Sequence, residues 1–314
     1  MTRAILIITL LVCATATSDT LEDGVFQIHY SPVDRAIAEN SLAVLQQCAH
    51  RVSDRLVLGN EPIDVYIAST VAEFKQRAGS YAVTDVGGIA KSEEGVIVIK
   101  APHIQTRAGS YEGILRHELI HVLLARNLNY ANLPRWLNEG LAMHLAEELR
   151  WMSAYRVAQM YATGQILSYH ELMLSFSAFP GEQPFGDTYA QSLSMTRFLL
   201  DEMGEDDFWA MIDDLNDMSF RNALEKHTDW IPLTFWEEWY SSLWSGAIVF
   251  SLISGFSLFQ FAAILLIIGY VRKRRKGQRI MNKWEEDEDE PLAPWEVFNE
   301  EPYSWEEEED DIRL

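Results

Sequence analysis

Two histidines four residues apart, with a glutamate beside the first, stand in RHELIHVLLA at residues 116–125 of this 314-residue chain. On an α-helix, residues i and i+4 lie one above the other, ~6 Å apart along the axis, so His117 and His121 would present their imidazoles from one face. That is the separation two ligands of a single ion need. Glu118 falls about 100° round the helix, where it can reach a metal-bound water without being a ligand. H-E-x-x-H thus pairs two zinc ligands with a general base for metal-assisted hydrolysis. A catalytic zinc takes three protein ligands and keeps a fourth position for water, so a further ligand is required. The competing reading is a buried helix that happens to hold two aligned histidines.

The elements that must position these residues are legible on both sides. GVFQIHY (24–30) alternates as a strand, and the stripe Ala36, Leu42, Leu45, Cys48, Val52 and Leu56 predicts a helix after Ser31 and Pro32. PIDVYIAS (62–69) reads as a strand, TVAEFKQRAG as a short helix, and residues 88–91 and 95–100 as two strands about a Ser-Glu-Glu-Gly turn. From Tyr111 to Leu243 the pattern is helical, broken by the Gly/Pro-rich FPGEQPFGDTY at 179–189. Strands first and helices second predict an α+β domain. Asn127 to Pro134 reads as a turn, with a second helix from about Arg135 that carries Glu139 eighteen residues after His121. Cys48 has no partner within the domain and reads as a small buried hydrophobe.

HELIH followed by PRWLNEGLA resembles the gluzincin zinc peptidases, in particular the peptidase MA-like group. The resemblance extends over the strand–helix–strand start, GGIA, the two-helix core and DTYAQSLSMTRFLLDEMGEDDFWAMI. It implies a zincin-like fold with a small N-terminal mixed sheet and a helical second half. It makes His117, His121 and Glu139 the ligands of Zn2+, and Glu118 the general base. It also implies an edge strand along which a protein or peptide substrate lies extended, either Gly88 to Lys91 or Val96 to Lys100. Gly140 would let the two helices approach closely. Tyr189 looks like the family's tyrosine that donates to the developing oxyanion; the alternative is a packing tyrosine at a helix start. One departure stands out. Where many gluzincins carry an acid one turn after the third ligand, this chain has Met143, followed by His144. His144 reads as a surface or satisfied histidine.

The ends of the chain predict a membrane protein. Residues 1–16 have the form of a secretory signal, basic at Arg3, apolar to about Ala16 and closing on ATA; a lipoprotein signal ending at Cys13 is the alternative. Residues 246–271 hold no charge and are long enough to span a ~30 Å hydrocarbon core as one transmembrane helix. The flank that follows carries six positive charges between Arg272 and Arg279 and marks the cytoplasmic side. Residues 17–245 would then be an extracytoplasmic metallopeptidase domain, and 272–314 a basic juxtamembrane segment and acidic cytoplasmic tail, in a single-pass protein of a bacterial plasma membrane. The tail from Met281 holds fifteen acids against two bases, a density that predicts disorder. Trp284, Trp295 and Trp305 in it could anchor a cytoplasmic partner. A net charge of −22 leaves no basic footprint for nucleic acid outside that short flank. The function expected is a membrane-anchored zinc metallopeptidase that cuts peptide bonds with a metal-activated water. The alternative is a catalytically silent membrane sensor or scaffold acting through its acidic tail.

Overall fold

A computed structural model describes residues 18–79, 86–105, 110–147, 150–175, 185–253 and 256–289. The leader at 1–16, with Cys13, and the tail beyond 289 lie outside the described residues. The chain divides into one unit up to Phe250 and a second from Ser251.

The first unit opens with β1 (Asp19–Asp23), β2 (Phe26–Tyr30), α1 (Arg35–Val52), β3 (Ile63–Ala68) and α2 (Val71–Ala78). The pair β4 (Gly88–Lys91) and β5 (Val96–Lys100) follows. The five strands form one mixed sheet in the order β1-β2-β3-β5-β4. β2, β3 and β5 run parallel, and β1 and β4 pair antiparallel at the two edges. Gly95, at φ 68°, takes the left-handed conformation that closes the β4–β5 turn, as the Ser-Glu-Glu-Gly stretch predicts. β1 is absent from the sequence reading, because DTLED is solvent-facing on almost every residue and shows no alternation.

Period-two burial splits the sheet's side chains between two layers. Phe26, Ile28, Ile63, Val65, Ile97 and Ile99 point into the main core, where α1 and the later helices pack. Val98 and Ala68 point the other way, onto Phe74 and Ala78 of α2. Thr70 caps α2 by accepting from the Glu73 backbone N–H. Cys48 is fully buried on α1, and burial pushes its thiol pKa up.

The helical half runs through α3 (Tyr111–Asn127), α4 (Arg135–Leu145), α5 (Arg150–Thr163), α6 (Tyr169–Ser175) and α7 (Phe185–Met203). It ends with α8 (Glu205–Asp214), α9 (Phe220–Thr228) and α10 (Pro232–Ile253). The expected loop at 179–189 is helical from Phe185 onward, and 179–184 lie outside the described residues. α3 is capped by Ser110, which accepts from the Gly113 N–H. Residues 118–124 of α3 are all buried, so this helix runs through the middle of the domain. It packs on α1, β4, β5 and α4. α4 in turn lies mainly on α7, and Trp136 anchors it between Phe220 (5.5 Å, edge-on) and Phe235 (5.6 Å, stacked). Gly140 faces α7 rather than α3, a correction to the expected close approach. A Cβ there would stand 2.0 Å from Thr196 Oγ1 and 2.7 Å from the Ser192 carbonyl oxygen.

The second unit is α11 (Phe256–Asp289), which passes from the apolar run through the basic flank. Among the described residues no helix is long and apolar enough to cross a membrane. The run expected as one span over 246–271 is shared by α10 and α11, with Ser254 and Gly255, weak helix formers, outside the described residues.

Gly140→Ala is expected to lower stability by roughly 1–3 kcal/mol, because the new methyl overlaps a backbone carbonyl that cannot rotate away. Urea unfolding should show a lower midpoint at unchanged slope.

Candidate metal centre

α3 and α4 meet at three side chains. His117 and His121 point from one face of α3, their Nε2 atoms 3.0 Å apart. Glu139, in the second turn of α4, brings Oε2 to 3.4 Å from His117 Nε2 and 3.3 Å from His121 Nε2. The three groups could hold a metal ion. Their side chains are 10–13% exposed, so the cluster is nearly closed to water.

Electrostatics favour a cation at this point. Burial acts to raise the Glu139 pKa, but the charge of His121 and hydrogen bonding to both histidines outweigh it, holding the carboxyl well below the usual carboxylate range. His121 is oriented from behind. Its Nδ1 lies 2.8 Å from Asn138 Oδ1, while Asn138 Nδ2 donates to the Tyr130 hydroxyl. With the amide nitrogen so engaged, Oδ1 faces the imidazole and must accept. The network therefore places the proton of neutral His121 on Nδ1 and leaves the Nε2 lone pair facing Glu139 and His117.

Glu118 lies beside the cluster and against the sheet. It accepts a hydrogen bond from the Ala90 backbone N–H of β4. Burial raises its pKa, opposed by the nearby His117 and His121. β4 reaches this close only because Gly88 lacks a side chain: a Cβ would stand 2.8 Å from Ile114 Cγ2 and 3.0 Å from Glu118 Cγ. Lys100 N–H bonds the Gly87 carbonyl, and the pairing continues Gly88↔Ile99, Ile89↔Val98, Ala90↔Ile97. By antiparallel alternation, Gly88 and Ala90 turn their backbone N–H and C=O groups away from β5. β4 is the edge strand on this side, whereas β5 is enclosed by β3 and β4. Of the two stretches expected to offer an edge, 88–91 is the one that does, and 96–100 is excluded.

Tyr189 sits in the second turn of α7, its ring centroid 6.3 Å from that of His117. Met143 is buried in α4, and His144 is half-buried. The other histidines stand apart: His29 bonds Asp64 and Thr20, and His227 bonds Asp214. The sequence reading misses Asn138, Tyr130 and Ala90. Asn138 carried a signal, being a polar residue inside the otherwise buried apolar stretch of α4 beside Glu139. A backbone donor such as Ala90 leaves no mark in residue type.

The family model described as "Peptidase MA superfamily" matches residues 43–230, which include α3, α4 and the start of α7. No curated protein matches the chain.

Asn138→Ala should weaken metal binding about 10–100-fold by freeing the His121 ring, with the fold retained. Competition against a zinc-chelating dye measures the change, and circular dichroism checks the fold.

Proposed function

The chain belongs to the peptidase MA superfamily, and from that premise we propose that it is a membrane-anchored zinc metallopeptidase of the gluzincin type, hydrolysing peptide bonds of a protein or peptide substrate. The observation that carries this reading is the convergence of His117 Nε2, His121 Nε2 and Glu139 Oε2 beside the buried Glu118. Tetrahedral zinc with bonds of ~2.0–2.1 Å needs ligand atoms about 3.3 Å apart. The three separations, 3.0, 3.3 and 3.4 Å, fit that size. Two imidazoles and one carboxylate are also a donor set that zinc accepts.

Bound there, zinc would polarise the scissile carbonyl and lower the pKa of water to about 7. The protein's own groups carry the remaining work. Glu118 takes the proton from the attacking water and passes it to the leaving amine; its burial, which raises its affinity for that proton, suits the task. The outward N–H and C=O of Gly88 and the C=O of Ala90 offer a substrate strand hydrogen bonds along the β4 edge, the Ala90 N–H being taken by Glu118. A strand held there lies next to Glu118, because the Ala90 N–H bonds that carboxylate. Tyr189, whose ring lies 6.3 Å from that of His117, is assigned the oxyanion donor.

Membrane attachment is supported by sequence and exposure together. The uncharged run 246–271 precedes six positive charges. Leu265, Leu266 and Ile267 on α11 are 62–74% exposed, an apolar surface that water does not favour. We assign residues 17–245 to the extracytoplasmic side and the acidic tail to the cytoplasm on the same charge asymmetry.

Elemental analysis of the purified chain should find one zinc per molecule, and Glu139→Ala should lose it. Glu118→Gln should keep the zinc and lose cleavage of an unstructured protein substrate by about 10²–10⁴-fold. Wild-type protein without stoichiometric zinc, or unchanged cleavage by Glu118→Gln, would return the domain to a scaffold role.

A further inference from the structure

A cavity of about 560 Å³ opens between α5, α7 and α10, within the first unit. None of the residues of the metal cluster lines it. Leu193, Phe198 and Trp239 are among its apolar lining residues, and Arg197, Ser153 and Ser194 among its polar ones. Among the described residues the half-buried Arg197 guanidinium makes no hydrogen bond or ion pair. Asp201, one turn further along α7, lines the same cavity but does not close on it.

The hydroxyls divide into two kinds. Ser242 Oγ donates to the Trp239 carbonyl (2.7 Å) and Ser245 Oγ to the Ser242 carbonyl (3.2 Å), so their protons are spent on α10 itself. Ser194 Oγ instead accepts from Trp239 Nε1 at 3.1 Å, which leaves its own proton to donate. The cavity therefore offers an anion a guanidinium and at least one hydroxyl proton among apolar side chains. A guanidinium beside hydroxyl donors matches a phosphate, whose several oxygens accept in different directions. Asp201 suits the hydroxyl or ammonium group of a headgroup esterified to that phosphate.

The surroundings indicate where such a ligand comes from. Met152, Tyr155, Trp244 and Ile248 are exposed on the same two outer helices, α5 and α10, by 47–60%. Tyr and Trp are favoured at the headgroup level of a bilayer. The last lining residue, Gly246, is the first of the uncharged run 246–271. We propose that this cavity holds the phosphoester headgroup of a membrane glycerophospholipid, with Arg197 on the phosphate and the acyl chains leaving along the apolar side of α10. The proposal rests on the membrane attachment argued above and is independent of the peptidase chemistry.

The test uses the full chain in a neutral maltoside detergent, with native mass spectrometry counting retained dioleoylphosphatidylglycerol. One lipid per chain is expected. Arg197→Gln should weaken retention about ten- to a hundredfold, the loss of a hydrogen-bonded charge. Arg197→Lys should recover most of it, and Asp201→Asn should bind as tightly as wild type or more so, which a merely misfolded variant would not do. Equal retention by wild type and Arg197→Gln overturns the proposal, as does equal retention of dioleoylglycerol, which lacks the phosphate. Glycerol 3-phosphate binding as tightly as the phospholipid overturns the lipid source and leaves a site for soluble phosphoesters. Alkaline carbonate extraction from phosphatidylglycerol vesicles separates the two readings. Release of the chain with lipid retention intact sinks the anchor alone, whereas a chain that stays in the vesicles but retains no lipid sinks the headgroup site alone.

Discussion

Burial of α3 on all sides is the constraint from which the rest of this domain follows. Residues 118–124 are all buried, and two of them, Glu118 and His121, are polar. A buried polar group costs several kcal/mol unless something bonds it. The fold answers with one partner from each direction: the Ala90 N–H of the sheet for Glu118, and the Asn138 amide of α4 for His121. The same helix therefore dictates that an edge strand lie on one side of it and a polar-faced helix on the other. A ligand triangle between two layers results from that demand.

Glu139 reaches the triangle through packing at a distance from it. α4 is placed by its contact with α7, where Gly140 lets Thr196 and the Ser192 carbonyl come close, and by Trp136 in its aromatic clamp. Arg116, the residue before His117, also donates from Nε to the Ala146 carbonyl at the end of α4 (3.2 Å). One helix thus supplies two of the candidate ligands and holds the far end of the helix that supplies the third. These ties act on the position of a carboxylate whose charge is stabilised by the histidines it faces.

Much of this was readable in the residues, and what was not has a common cause. HELIH declared its own geometry, because both histidines and the glutamate lie on one helical segment. Pro134 marked where α4 starts, which put Glu139 on the right element. The strands with alternating apolar residues stood out; β1 did not, since its exposed acids carry no period. The order of strands was invisible: β4 and β5 look alike as halves of a hairpin, and only the parallel pairing of β5 with β3, far back in the chain, makes β4 the edge. Gly140 was visible as a glycine, but its neighbour was assigned to α3 when it is α7. Periodicity reports which face of a helix is apolar and says nothing of which helix covers it.

The aromatic clamp on Trp136 has a consequence for the order in which the protein matures. Every residue of the ligand triangle has left the ribosome once residue 139 is made, yet Phe220 and Phe235, which pin α4, come some eighty to a hundred residues later. A chain paused before α10 has α7 and Phe220 but lacks Phe235, one side of the clamp on Trp136. The last side of that clamp comes from the same α10 helix that leads into the apolar run. The fastening of α4 thus draws on residues far along the chain from the three side chains it helps to position.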